Sequence, residues 1–154
     1  MSGQGTRTVL EAADLLSAAE LACVREAVRR AEAGTSGEIR VHLDDAIMDD
    51  VLDHAAFVFE ELGMQRTRDR NGVLIYVSVA QHRAAVIGDA GINAVLPHGY
   101  WNETLGLLLE HFRAGRHADG LVAAVERMGA QLQHHFPRRT DDRNELSDEV
   151  SIGR

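Results

Sequence analysis

The chain contains no lysine, a single cysteine, two prolines and few aromatic residues. Each shortage excludes something. Without lysine there is no Schiff-base nucleophile and no lysine-bearing phosphate loop. An all-arginine cation set is what a GC-rich coding bias produces. With only Cys23, no disulfide can form within the chain, and nothing points to an oxidising compartment. Cys23 lies between Leu21 and Val24 in an amphipathic stretch, where a small buried hydrophobe is expected. Aromatics make up 5% of the residues and hydrophobics 45%. The core is therefore expected to be aliphatic.

Long apolar runs are missing as well. None approaches the ~20 residues that cross a bilayer. The first ten residues lack a cationic region followed by an apolar one, so no signal peptide is read there and the expected address is the cytoplasm. Net positive charge is also absent: the formal net charge is −8. A nucleic-acid partner or an anionic lipid surface calls for clustered cations, so neither is expected.

What is present fits one domain. A chain of 154 residues can bury roughly 70% of its unfolded surface in a single core. Residues 1–16 read as a flexible lead-in, 17–137 as the folded domain and 138–154 as a charged tail. Ser17 and Glu20 have the spacing of a capping box before an amphipathic helix that Gly34 stops. Residues 38–43 alternate Ile39, Val41 and Leu43 with polar side chains, a strand with one polar face. Asp49 or Asp50 can cap the next helix, which ends at Gly63. Val73 to Val79 is nearly continuous and β-branched, a strand buried on both faces. Gln81 and His82 turn into a third strand over 83–87. A short helix over 91–96, stopped by Pro97, precedes two longer ones over 100–114 and 118–135. The helix between the first two strands makes them parallel, with a right-handed crossover. The tight turn makes the second and third a hairpin. The expected fold is α/β: an α/β/α sandwich on a small mixed sheet, with helices on both faces.

That topology collects polar residues at two edges. At one, the starts of the first and second strands meet the end of the third. It gathers Ser36, Glu38, Asp69, Arg70, Asn71 and Asp89 among flexible glycines. Carboxylates, hydroxyls and amides are the ligands that Ca²⁺ or Mg²⁺ takes, so Glu38, Asp69 and Asp89 are candidate metal ligands. The same residues also serve ordinary turns and caps. The opposite edge gathers Asp44, Asp45, His82 and Arg83. It lies beyond the carboxyl ends of the parallel strands, where open α/β sheets favour ligands.

Residues at the first edge also carry a family resemblance. Thr35 to Val41 resembles the first strand of the TPM domain family, and Asn71 to Ile75 its second. Arg83, Ile87-Gly88-Asp89 and Gly91-Ile92 resemble its third strand and the turn after it. Trp101, Phe112, Gly115 and Gly120-Leu121 continue the likeness. In the tail, Phe136-Pro137, Asp142, Asn144-Glu145-Leu146 and Asp148-Glu149 resemble the ending of the short soluble bacterial branch. No single motif is specific; their order is. The resemblance implies an α/β/α sandwich, binding of divalent cations, mainly calcium, and an association with acid phosphatase activity in plant members. It also implies a tail that docks on the domain, with Asp142, Glu145, Asp148 or Glu149 meeting an arginine or the acidic edge.

The sequence lacks the cysteine, Arg-His-Gly and Asp-x-Asp signatures of the common phosphatase mechanisms. What remains open to an enzyme is metal-assisted phosphomonoester hydrolysis, with Arg70 or Arg83 clamping phosphate. Zinc is not expected, because His111, His117, His134 and His135 offer no third ligand. The leading expectation is a domain that binds Ca²⁺ or Mg²⁺ in a regulatory or interaction role. The alternatives are a weak metal-dependent phosphomonoesterase and a partner-binding domain without metal, the last marked by an apolar patch around Tyr100 and Trp101.

Overall fold

The computed structural model describes residues 11–138 and 150–153. Residues 1–10 of the expected flexible lead-in and the tail residues Asp142, Glu145, Asp148 and Glu149 lie outside these; of the rest of that lead-in, Ala12–Asp14 form a 3-10 turn, and Ala12 and Leu15 are buried in the core.

Helix α1 spans Ala18–Ala33. Ser17 and Glu20 form the reciprocal capping box, and Gly34 is the C-cap. Val24, Ala27, Val28 and Ala31 are buried on one stripe. Cys23 falls off that stripe and is exposed, which corrects the expectation of burial. Strand β1 (Glu38–Asp44) follows, then α2 (Val51–Glu61), β2 (Gly72–Ser78) and β3 (Arg83–Gly88). Asp50 is the cap of α2, its carboxylate accepting from the Leu52 and Asp53 amides. The one-turn helix α3 (Ala90–Asn93) leads to α4 (Tyr100–Arg113) and α5 (His117–His135). A two-residue strand β4, Ser151–Ile152, closes the described chain.

The sheet order is β3-β2-β1-β4. β1 and β2 are parallel with Glu38 opposite Gly72 and Asp44 opposite Ser78. β2 and β3 are antiparallel, as the hairpin spacing required. β4 runs parallel to β1, with His42 opposite Ser151. Sequence patterning did not anticipate it: two residues carry no periodicity. A bridge between Thr35 and Pro137 covers the other end of β1.

Two cores flank the sheet. Ile39, Val41, Leu43, Val73, Ile75, Val77 and Val86 point one way and join α1, α4 and α5. Leu74, Tyr76 and Ala85 point the other way, onto Ala55, Val58 and Phe59 of α2. Both faces of β2 are buried throughout, which explains its unbroken apolar composition. β1 differs, because alternation sends Glu38, Arg40, His42 and Asp44 to the α2 side. Glu38, His42 and Asp44 are nevertheless buried. Both candidate sites draw on that polar row.

Candidate functional site

At the edge where β1 and β2 begin, the chain is drawn tight. Gly91 packs so closely under the preceding loop that a Cβ there would lie 2.0 Å from the Asp69 carbonyl oxygen. Its amide donates to the Arg70 carbonyl at 2.8 Å. Arg70 holds a positive φ of 52°, an uncommon conformation for a side-chain-bearing residue. Its guanidinium reaches back to Asp89, Nε to Oδ2 at 2.6 Å and Nη2 to Oδ1 at 2.8 Å. The Asp89 carboxylate also accepts the Ala90 amide at 2.8 Å as the cap of α3. That carboxylate therefore anchors a loop and is committed to three donors. The hydrogen bond and charge of Asp89 raise the pKa of Arg70.

Ser36, Asp69 and Asn71 form a second group at this edge. Asn71 Nδ2 donates to Ser36 Oγ at 3.2 Å, and Ser36 Oγ donates to Asp69 Oδ2 at 3.4 Å. The Asn71 amide donates to Thr67 Oγ1 at 3.1 Å, which holds the turn. Asn71 is 1% exposed, and its side-chain oxygen is buried with no hydrogen-bond donor in reach among the described residues. Glu38, 3% exposed, starts β1 beside them. The structure thus brings Ser36, Glu38, Asp69, Arg70, Asn71 and Asp89 to one edge. Arg83 stands apart, at the opposite end of β3 from Asp89.

The carboxyl edge carries a different constellation, centred on Asp44. Its Oδ1 pairs with His42 Nε2 at 3.0 Å, and its Oδ2 accepts Tyr76 Oη at 2.6 Å. His54 Nε2 lies 3.6 Å from Oδ2 and hands its other nitrogen to Asp49 at 2.9 Å. His42 Nδ1 meets Ser151 Oγ of β4 at 2.7 Å. A cleft of about 380 Å³ opens over His42, Asp44 and His54, with Gly153 on its border. Burial would raise the Asp44 pKa, but hydrogen bonds from His42 and Tyr76 and the charges of His42 and His54 outweigh it. The carboxyl is held below its ordinary range. The Tyr76 phenol is pushed up by burial, then by its bond to Asp44 and that group's charge.

Asp45 and His82, expected beside Asp44, are used otherwise. Asp45 Oδ1 accepts the Ala12 amide at 2.7 Å and tethers the N-terminal segment. His82 occupies the hairpin turn with a φ of 54°. The residues that do surround Asp44 are His42, Tyr76 and His54, with Gly153 packed close against its carboxylate. Only the alternation of β1 signalled one of them, by putting His42 two residues before Asp44. Tyr100 and Trp101 do not form an exposed patch: they are half-buried, bonded to the Arg127 carbonyl and to Asn93. Among the described residues, no group of three or more His, Cys, Asp or Glu is arranged to hold a metal.

The order of elements, the sheet register and the tight first edge together define a TPM-type α/β/α domain. The chain belongs to the TPM domain family, whose profile matches residues 9–131. It is similar to the BA42 protein of the psychrophilic bacterium Bizionia argentinensis, solved by NMR. That likeness has a TM-score of 0.83 and 41% identity over 90% of this chain and 95% of the other. It also resembles the N-terminal domain of a P. gingivalis protein, with a TM-score of 0.67, 25% identity and coverage of 82% and 85%. The N-terminal domain of the cg2496 protein of Corynebacterium glutamicum shares the fold alone, at 10% identity, a TM-score of 0.62 and coverage of 85% and 86%. Curated proteins gave no match. No helix among the described residues is long and apolar enough to cross a membrane.

Proposed function

We propose that this TPM domain is a binding module that takes a divalent cation, Ca²⁺ or Mg²⁺, at the edge formed by Ser36, Glu38, Asp69 and Asn71. The observation that carries the reading is the orphaned side-chain oxygen of Asn71. Buried acceptors are nearly always satisfied. The nitrogen of the same side-chain amide donates to the Ser36 hydroxyl, which in turn is bonded to the Asp69 carboxylate. Amide, hydroxyl and carboxylate oxygens are what a hard cation binds, and Mg²⁺ keeps several waters when protein supplies one or two carboxylates. Such a hydrated cation does not need a cluster of three acidic side chains. Asp89 supports the site indirectly, by fixing the Asp69–Asn71 turn through Arg70.

The role inferred is regulatory or interaction-mediating, because the edge is made of loops that an ion can stiffen. A phosphomonoesterase gains less support. Arg70 already holds Asp89, and Arg83 starts β3 at the other edge. Neither is placed to clamp a phosphate beside Asp89.

Thermal unfolding with and without cation tests the reading. A ligand at a hundredfold excess over its Kd stabilises the native state by about 2.7 kcal/mol. The midpoint is expected to rise with Ca²⁺ or Mg²⁺ in the wild type and to stay put in Asp69→Asn. An unmoved wild-type midpoint, or an equal rise in the variant, contradicts it.

A further inference from the structure

The turn between β2 and β3 lies against the junction of α4 and α5, and together they enclose a cavity of about 300 Å³. It is lined by His82, Arg83, Leu109, Phe112, Arg113 and His117. The fold explains the gathering. β3 starts at Arg83 and packs beside α4, α4 ends at Arg113, and α5 starts at His117. The cavity lies beyond the carboxyl ends of the two parallel strands, where open α/β sheets hold their ligands.

Its floor is apolar. Leu109 and Phe112, three apart on α4, share one face and pack against the main core. The His117 ring stands edge-on to Phe112, with centroids 4.9 Å apart. Its rim is cationic. Two guanidinium groups and two imidazoles line the opening, and among the described residues no carboxylate does. In a chain of net charge −8 this is a local reversal of sign. Arg29, Arg30, Arg70 and Arg127 all pair with acidic side chains. Among the described residues Arg83 and Arg113 show no such pair, nor do Arg25, Arg66 and Arg116, but only Arg83 and Arg113 line this cavity. The backbone amides opening α5 have no side-chain cap, which leaves positive helix-end potential on the same side.

We propose that this cavity binds a small organic carboxylate, with its apolar body on Leu109 and Phe112 and its head group between Arg83 and Arg113. The planar fork of arginine matches a carboxylate in two parallel hydrogen bonds. A neutral apolar ligand leaves the two guanidinium groups unused. A bare inorganic anion leaves the apolar floor wet. A volume of about 300 Å³ is at the lower end of small-molecule pockets, so the body is short. The site is separate from the Ser36–Asp69 edge and does not depend on a cation there.

Octanoate, octylamine and inorganic phosphate are the probes, each titrated into ¹⁵N-labelled full chain below the micelle concentration of the amphiphiles. Octanoate is expected to shift the amides of Arg83, Leu109, Phe112 and His117 saturably. Octylamine, with the same body and opposite charge, is expected to leave them in place, and phosphate to bind at least about tenfold more weakly than octanoate. The double substitution Arg83→Ala with Arg113→Ala alters exposed side chains, and its remaining amide spectrum reports whether the fold is kept. It is expected to weaken octanoate by at least about tenfold, the scale of a lost charge-assisted pair. The proposal is overturned by any of four results: no saturable shift with octanoate, equal response to octylamine, phosphate binding as tight as octanoate, or undiminished binding in a folded double variant.

Discussion

Arg70 and Asp89 grip each other through two parallel hydrogen bonds across nineteen positions of chain, joining the turn before β2 to the turn after β3. Arg70 is half exposed while Asp89 is buried. The two ends of the pair therefore do different work. The guanidinium is screened and contributes modestly. The carboxylate is buried and also caps α3.

Asp89→Ala is therefore expected to cost about 1–2 kcal/mol, from the lost cap of α3. Asp89→Asn keeps an acceptor for the Ala90 amide and should lose less. Urea unfolding of the two variants beside the wild type measures the order. Equal losses would assign the whole effect to charge.

Gly91→Ala is expected to be more damaging. The added Cβ meets backbone oxygen at 2.0 Å, and backbone cannot rotate aside as a side chain can. A loss of about 3 kcal/mol or more, in the overpacking range, should appear as a lowered denaturation midpoint with an unchanged slope. A loss under about 1 kcal/mol would mean that the loop is looser than the close approach implies.

The Asp44 network sets a pH dependence. The folded-state pKa of Asp44 lies below its unfolded value. Its stabilising contribution is complete above the unfolded value, about 3.9, and is lost as the pH falls through the lower folded value. Its facing partners are His42, His54 and Tyr76. The wild type should keep its advantage over Asp44→Asn down to about pH 4 and lose it below. Tyr76→Phe removes one donor, costs about 1–2 kcal/mol and moves that acid loss to higher pH. Urea unfolding at a series of pH values gives all three curves. An advantage of the wild type over Asp44→Asn that persists undiminished well below pH 4 contradicts the assignment.

β4 bears on the sheet edge. Gly153 N donates to the Leu43 carbonyl at 2.7 Å, and Val150 is buried in the main core. Deleting residues 150–154 uncovers the outer edge of β1 beside His42 and Asp44. An uncovered strand edge invites pairing with another chain. The truncated protein is expected to be less stable and to associate with rising concentration in analytical ultracentrifugation. A monomeric truncation of unchanged stability would show that β4 protects nothing.

The legible parts of this molecule are those that periodicity encodes. The capping box at Ser17, the unbroken apolar run of β2 and the turn at His82 each predict local geometry, and they sufficed for the order and direction of β1 to β3. Connectivity then placed Glu38, Asp69 and Asp89 at one edge. What the pattern could not give is the partner of each polar side chain. Asp89 and Arg70 read alike as site residues, yet they engage each other. His42 reads as part of a polar face, yet it is buried against Tyr76 and β4. Burial of a polar row depends on what packs over it, and here that includes a two-residue strand more than a hundred positions away. The cationic rim at Arg83 and Arg113 is hidden for the same reason: it forms only when the hairpin meets the α4–α5 junction.

The edge around Asn71 is proposed to take a divalent cation. Its most direct measurement is a Ca²⁺ and Mg²⁺ titration of the ¹⁵N-labelled chain, followed at the amides of Ser36 to Glu38 and Asp69 to Asn71. Saturable shifts are expected there, including the Asn71 side-chain amide, and are expected to vanish in Asp69→Asn. Shifts confined to Asp44 and His54, or none up to millimolar cation, would contradict it.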